Sequence, residues 1–160
     1  MLSCLIVLTV MATTLEAQRQ PADQRPIRWR TTLRADAIID RDPGAQLGLG
    51  LAIPAAYNVR LGVEAGAGGV QRRGGWSPIG RVDLLGRWLS DPFRQSRWAI
   101  HAGGGVGVLL EEQRAPRPVA IVTLGVDGPS DGAWVPGVEV GLGGGVRAGL
   151  TLRRASRRSR

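Results

Sequence analysis

His101 is the single histidine of the chain and the residue best suited to acid–base chemistry, because a serine–histidine pair would make it part of a hydrolase site. If Trp88 pairs with Trp98 across the turn between them, His101 lies opposite Leu85. Ser77, the nearest serine expected on the same face, is then about eight residues away, or roughly 26 Å at the usual strand rise. That distance excludes a nucleophile–base pair, so we predict that His101 only makes hydrogen bonds inside the fold.

The other candidate sites do not complete any known chemistry. One histidine and one cysteine, Cys4, are too few for a transition-metal site. The glycine-rich residues 102–107 lack the G-x-G-x-x-G spacing, and the chain has no lysine for a phosphate loop. Glu111 and Glu112 stand beside two arginines in an expected solvated turn, with no sign of the cleft that carboxylate catalysis needs. We predict no enzyme activity, no cofactor and no metal.

The basic residues are all arginine, 21 against 13 acids, and the net charge is +8. Such an excess can indicate a nucleic-acid partner. These arginines are spread along the chain, however, and the one dense run follows the last apolar segment. Its members are Arg153, Arg154, Arg157, Arg158 and Arg160. We interpret this run as a basic end, with residues 155–160 as a C-terminal tail, and predict no nucleic-acid partner.

The N-terminal stretch from Leu2 to Leu15 is apolar apart from serine, threonine and cysteine. It is short for a membrane span and is typical of the hydrophobic region of a secretory signal. We predict a signal peptide over residues 1–17, with cleavage after Ala17, and a linker over residues 18–26. Cys4 lies within the removed segment, so the mature chain would contain no thiol.

From about residue 27, apolar and polar residues alternate with the period of two that is typical of β-strands. In the first stretch Leu33, Ala35 and Ala37 alternate with Arg34 and Asp36. Seven such stretches, each of about ten residues, are separated by turn signals. An eighth follows if residues 143–145 form a hairpin, although the unbroken parity over residues 134–152 also allows one long strand. Because single-chain bacterial barrels have even strand numbers, we predict an all-β, antiparallel barrel of eight strands over residues 27–154.

Charge separation between the two parities predicts which face is inside. An arginine that faces lipid at mid-bilayer costs about 2–4 kcal/mol, which explains an outer face without charges. Many glycines share the charged parity and would leave room there for long side chains. We expect a lumen charge network, with Arg81 paired to Glu64 on the adjacent strand. Its members are Arg30, Arg34, Asp36, Arg60, Glu64, Arg81, Asp83, Arg87, His101, Asp127, Glu139 and Arg147.

The aromatic residues fall on the apolar parity and at strand ends. This holds for the five tryptophans and the one tyrosine, which are Trp29, Tyr57, Trp76, Trp88, Trp98 and Trp134. Five of them would lie at one rim of the barrel, and only Trp76 at the other. This placement is typical of the aromatic girdle at a membrane–water interface.

Alternating strands, terminal tryptophans, a charged lumen and a signal segment together make the chain resemble the small OmpA/OmpX-type outer-membrane barrels. The resemblance covers roughly residues 27–154 and is one of pattern, without a diagnostic motif. It implies a transmembrane barrel in the outer membrane of a Gram-negative bacterium, a plugged polar interior and both termini in the periplasm. Such barrels commonly end on an aromatic residue, whereas this sequence ends Arg-Arg-Ser-Arg. Either Leu150-Thr151-Leu152 serves as an internal last-strand signal, or assembly differs.

The predicted function is that of an integral outer-membrane protein with a structural or general envelope role. Its expected partners are outer-membrane lipid and the assembly machinery, and the sequence indicates no specific protein partner. Two alternatives stay open. One is a soluble periplasmic lipocalin-like barrel that binds a small apolar ligand. The other is a narrow pore, although eight strands leave an interior just wide enough for side chains to fill.

Overall fold

The fold is taken from a computed structural model, which describes residues 29–92, 95–112, 114–129 and 133–154. The predicted signal peptide (1–17), linker (18–26) and basic tail (155–160) lie outside the described residues. In the described part of the chain, no helix is long and apolar enough to cross a membrane.

Eight antiparallel strands form a closed barrel in which each strand pairs with its neighbours in sequence. The strands are β1 (Arg30–Ile39), β2 (Gly44–Pro54), β3 (Val59–Arg72), β4 (Gly75–Leu89), β5 (Ala99–Glu111), β6 (Arg117–Asp127), β7 (Trp134–Leu142) and β8 (Val146–Arg154). Pairing of β1 with β8 closes the barrel, from Thr32 opposite Arg153 to Ile39 opposite Val146. The prediction of an eight-stranded antiparallel barrel is confirmed.

A hairpin at residues 143–145 separates β7 from β8. Gly143, Gly144 and Gly145 have φ angles of 139°, 73° and 117°. Residues with a side chain rarely adopt these angles, so three consecutive glycines turn the chain where its hydrophobic parity continues without a break. The segment 134–152 is therefore two strands, and the alternative of one long strand is wrong.

Two register predictions are wrong, each by a small shift. His101 lies opposite Leu89 and not Leu85, because residues 90–98 form a longer connection than predicted. Next to this pair, Ser90 N donates to the carbonyl of Ile100, and Ile100 N donates to Ser90 Oγ. Arg81 lies opposite Gly66, while Asp83 is the residue opposite Glu64. The predicted Arg81–Glu64 pair is therefore not a cross-strand pair.

The two rims of the barrel differ in their connections. We call the rim at which β1 begins and β8 ends the terminal rim. Residues 55–58, 90–98 and 128–133 connect strands there, and residues 40–43, 73–74, 112–116 and 143–145 connect strands at the opposite rim. The longer connections therefore lie at the terminal rim, and no connection is long enough to form a separate domain or lid.

Gly105 on β5 leaves no room for a side chain beside β4 and therefore provides a test of the register. A Cβ atom at this position would overlap the carbonyl oxygen of Leu84, whereas a Cβ at Gly74 in the β3–β4 turn meets nothing within 4 Å. We expect Gly105→Ala to lower the free energy of unfolding by about 1–3 kcal/mol, as for overpacking. Gly74→Ala, the matched control, should change it by less than about 0.5 kcal/mol. Denaturant titration measures both, and equal stabilities would contradict this register.

Candidate functional site

The interior of the barrel is lined with ionised side chains in equal numbers. Among the described residues, five arginines and five carboxylates are buried, together with His101. The arginines are Arg34, Arg81, Arg87, Arg147 and Arg153, and the carboxylates are Asp36, Glu64, Asp83, Asp127 and Glu139. Of the residues predicted for the lumen network, only Arg30 and Arg60 are half-buried and not fully buried.

Glu139 on β7 is the acceptor that several strands share. Its Oε1 accepts a hydrogen bond from Arg34 Nη1 at 3.2 Å, and its Oε2 accepts one from Arg153 Nη2 at 3.0 Å. Arg87 Nη2 lies 3.3 Å from Oε2, and His101 Nε2 is within hydrogen-bond distance of the same oxygen at 3.1 Å. One carboxylate thus joins β1, β4, β5 and β8.

Arg34 on β1 extends the network toward β3. Its Nε and Nη2 donate to the two oxygens of Asp36 at 2.7 and 2.8 Å, a bidentate geometry that strengthens charge-assisted bonds. Its Nη1 also donates to Glu64 Oε2 at 2.5 Å. Glu64 Oε1 in turn lies 2.7 Å from Arg87 Nη2, and Gln46 Nε2 donates to Asp36. We call these residues, with Arg153, Asp127 and Glu139, the Arg34–Glu139 network.

A second group, the Arg81–Arg147 cluster, contains Arg81, Arg147 and Asp83. Arg81 Nε donates to both oxygens of Asp83, at 2.6 and 2.7 Å, and Arg81 Nη1 donates to the carbonyl of Gly143 at 2.7 Å. Arg147 Nη1 lies 3.6 Å from Asp83 Oδ2. The partner of Arg81 is therefore Asp83 on its own strand and not Glu64, which lies opposite Asp83.

Glycine lies opposite nearly every buried charge in the strand ladder. The pairs include Arg34–Gly48, Asp36–Gly149, Glu64–Gly50, Arg81–Gly66, Asp83–Gly107, Arg87–Gly103, Asp127–Gly137, Glu139–Gly125 and Arg147–Gly141. At Gly48, an added Cβ would lie 2.8 Å from the Cγ of Arg34. The charged side chains therefore extend into space that would be occupied if the residue opposite had a side chain.

Arg153 was missed as a lumen residue because it begins the basic run near the end of the chain. It lies on β8 with its side chain inside, bonded to Asp127 and Glu139 and 3.2 Å from His101 Nε2. The signal that could have found it is parity, since residues 147, 149, 151 and 153 share one face. The inward apolar residues Leu85, Ile121 and Val135 were also not predicted.

His101 lies between two carboxylates of the interior. Its Nε2 is engaged with Glu139, and its Nδ1 lies 3.6 Å from Asp127 Oδ1. Within the described ranges, no group of three or more histidine, cysteine, aspartate and glutamate side chains could hold a metal ion. The buried carboxylates form ion pairs with arginine side chains.

A small cavity lies inside the barrel at the terminal rim. A cavity of about 20 Å³ is lined there by Arg30, Thr32, Ala52, Arg60, Gly62, Arg87, Leu89, His101, Asp127 and Arg153. This volume is close to what one water molecule needs. A larger depression, of about 690 Å³, lies among outward side chains that include Ala35, Ala37, Ala45, Leu47 and Leu150.

The five tryptophans and Tyr57 all point outward and are exposed. Trp29, Tyr57, Trp88, Trp98 and Trp134 lie at or beside strand ends of the terminal rim, and Trp76 lies beside the β3–β4 turn at the opposite rim. The structure thus places these residues in two bands at the ends of the barrel.

Glu139→Gln tests the shared acceptor, because it keeps the shape of the side chain and removes its charge. Glu139 is 2 % exposed, and its loss leaves Arg34, Arg87 and Arg153 with less compensation. We expect the free energy of unfolding to fall by about 3–5 kcal/mol, as for breaking a buried ion pair. Glu112→Gln, an exposed control, should change it by less than about 0.5 kcal/mol. Urea titration measures both, and a tolerated Glu139→Gln would contradict the network.

Comparison with known proteins reveals similarity in structure only. No family model matches the sequence, and no curated protein matches it. The N-terminal β-barrel domain of Pseudomonas aeruginosa OprF is similar over 78% of this chain and 96% of that chain, with a TM-score of 0.53 and 9% identity. The similarity to the translocator domain of the autotransporter NalP from Neisseria meningitidis covers 96% of this chain and 98% of that chain, at 10% identity, but its TM-score of 0.38 supports no argument. The chain, a closed barrel of eight strands, therefore shares the β-barrel fold of the OprF N-terminal domain.

Proposed function

We propose that this protein is an integral outer-membrane protein whose apolar outer face contacts lipid and whose filled lumen has a structural, non-catalytic role in the envelope. Export by the segment 1–17 is part of the proposal. The observation that carries it is the inverted distribution of side chains. Among the described residues, 27 large hydrophobic side chains are exposed and six hydrophobic residues are buried, whereas the charged residues named above are inside.

The exposed apolar surface fits a lipid environment and not water. Soluble monomers rarely expose a continuous apolar patch larger than a few hundred Å². Here the exposed leucines, valines and isoleucines recur on every strand. A closed barrel also pairs every strand edge, as a β-structure within hydrocarbon requires.

The two alternatives fit the geometry less well. A lipocalin-like carrier of an apolar ligand needs an apolar cavity, and this interior holds paired arginines and carboxylates. A pore needs a continuous aqueous path, and the cavity at the terminal rim is about 20 Å³. Eight strands enclose a space that side chains can fill.

The proposed orientation places the terminal rim in the periplasm, as the resemblance implies. Outer-membrane barrels commonly have short periplasmic turns and longer extracellular loops. In this orientation the present chain has the reverse, with its longest connection, residues 90–98, on the periplasmic side. Short connections at the cell surface favour a general envelope role over recognition of an external ligand, because they form no lid or binding domain.

Arginine substitution on the outer face tests contact with lipid. Leu84 is 56% exposed and pairs within the ladder with Val63 and Val106, whereas Ile39 is 59% exposed and ends β1. In vesicles, Leu84→Arg should lower the free energy of unfolding by about 2–4 kcal/mol and Ile39→Arg by about 0–1 kcal/mol, because the cost depends on depth. Urea titration of protein refolded in vesicles measures both. Stable folding in plain buffer, with Leu84→Arg tolerated, would contradict the proposal.

Fluorescence quenching tests the aromatic girdle. Variants that keep one of Trp29, Trp88, Trp98 or Trp134 and replace the others by phenylalanine should be quenched more by lipids brominated near the headgroup than by lipids brominated near the chain ends. Leu84→Trp in a tryptophan-free background is the matched control and should show the opposite preference. Quenching of the four native tryptophans at mid-bilayer depth, or none at all, would contradict a girdle.

A further inference from the structure

The Arg81–Arg147 cluster carries one more positive charge than its carboxylate compensates. Arg81 and Arg147 are 4% and 2% exposed, and Asp83 is the carboxylate within ion-pair distance of both. Asp83 is strongly engaged by Arg81 and only distantly by Arg147, at 3.6 Å. Two buried guanidinium groups that share one carboxylate repel each other, and that carboxylate balances only one of their two charges.

The same two arginines retain hydrogen-bond donors without acceptors. In the described part of the chain, Arg81 Nη2 and both Nε and Nη2 of Arg147 are buried and have no partner. A buried donor without an acceptor costs about 1–3 kcal/mol, more when it is charged. This cost favours binding of an acceptor at these groups.

Two of these donors approach the end of β7 and the first residue of the hairpin that follows it. A Cβ atom at Gly143 would lie 3.3 Å from Arg81 Nη2, and one at Gly141 would lie 3.4 Å from Arg147 Nη2. Because both positions are glycine, the wall beside these donors has no side chain. Arg147 follows the 143–145 hairpin by two residues, so the cluster lies near the mouth at the opposite rim.

We propose that the Arg81–Arg147 cluster binds one small monovalent inorganic anion of the halide class, such as chloride. A halide ion can only accept hydrogen bonds, so it suits the unpaired N–H donors of the two arginines. Its single negative charge balances the one excess positive charge of the cluster. The Arg34–Glu139 network provides the internal contrast. It has four carboxylates, Asp36, Glu64, Asp127 and Glu139, for three arginines, and offers an anion no such excess.

Anion-dependent stability tests this site in the refolded full-length protein. Urea unfolding is compared in sodium chloride, sodium bromide and sodium gluconate at constant ionic strength, which keeps general screening the same. Chloride and bromide should raise the unfolding midpoint and gluconate should not. Above the dissociation constant, the unfolding equilibrium constant should fall about tenfold for each tenfold rise in chloride, as mass action requires for one site.

Arg147→Gln should abolish the chloride dependence, because it removes the excess charge and two of the donors. Arg41→Gln, at an exposed position between β1 and β2, should retain it. Bromide-soaked crystals of the wild-type protein test the location even if Arg147→Gln fails to fold, with an anomalous peak expected between the two guanidinium groups. Equal midpoints in all three salts, chloride dependence retained in Arg147→Gln, or bromide bound elsewhere only would overturn the proposal.

Discussion

Compensation of charge within a closed interior is the constraint on which this barrel depends. Five arginines and five carboxylates are buried among the described residues. A charge that is removed from water must recover its lost hydration through ion pairs and hydrogen bonds, and an unpaired one is strongly destabilising. The strands must therefore lie in a register that joins ion pairs across the lumen as well as backbone groups along the wall. Glu139 is an example, because it accepts hydrogen bonds from both Arg34 on β1 and Arg153 on β8, the two strands whose pairing closes the barrel.

The glycine content of the chain follows from the same constraint. The interior of an eight-stranded barrel is only just wide enough for side chains. An arginine directed inward therefore needs space that a side chain on the neighbouring strand would otherwise occupy. Gly50 illustrates this, since a Cβ there would lie 2.9 Å from Cγ of Glu64, and Gly103 does the same beside Arg87 at 3.1 Å. Glycine in a strand interior costs backbone entropy, but here it makes space for the side chains that compensate each other. The glycines and the charged residues of the interior therefore depend on each other, because the charged side chains need the space that glycine leaves.

The sequence predicts the faces of this barrel better than its registers, and the reason is geometric. A slip of one residue moves every side chain to the other face, so parity specifies inside and outside strictly. A slip by any even number of residues keeps every side chain on its face, so parity cannot detect it. His101 illustrates this, because its side chain is buried as the charged parity predicts, yet its cross-strand partner is Leu89 and not Leu85. Arg153 was missed for a different reason. It begins a run of arginines that was interpreted as a basic end, although its parity places it inside with Arg147.

Barrel closure and charge compensation depend on each other. Arg34 on β1 reaches Glu64 on β3 and Glu139 on β7, and Arg153 on β8 reaches Glu139 and Asp127. The contacts of Arg34 with Glu139 and of β1 with β8 can form only when the first strand meets the last. A partly closed sheet would leave these ions without partners on its polar face. The network therefore favours the closed barrel over open intermediates. It also couples the pairing of β1 with β8 to the formation of the interior ion pairs, because each requires the other.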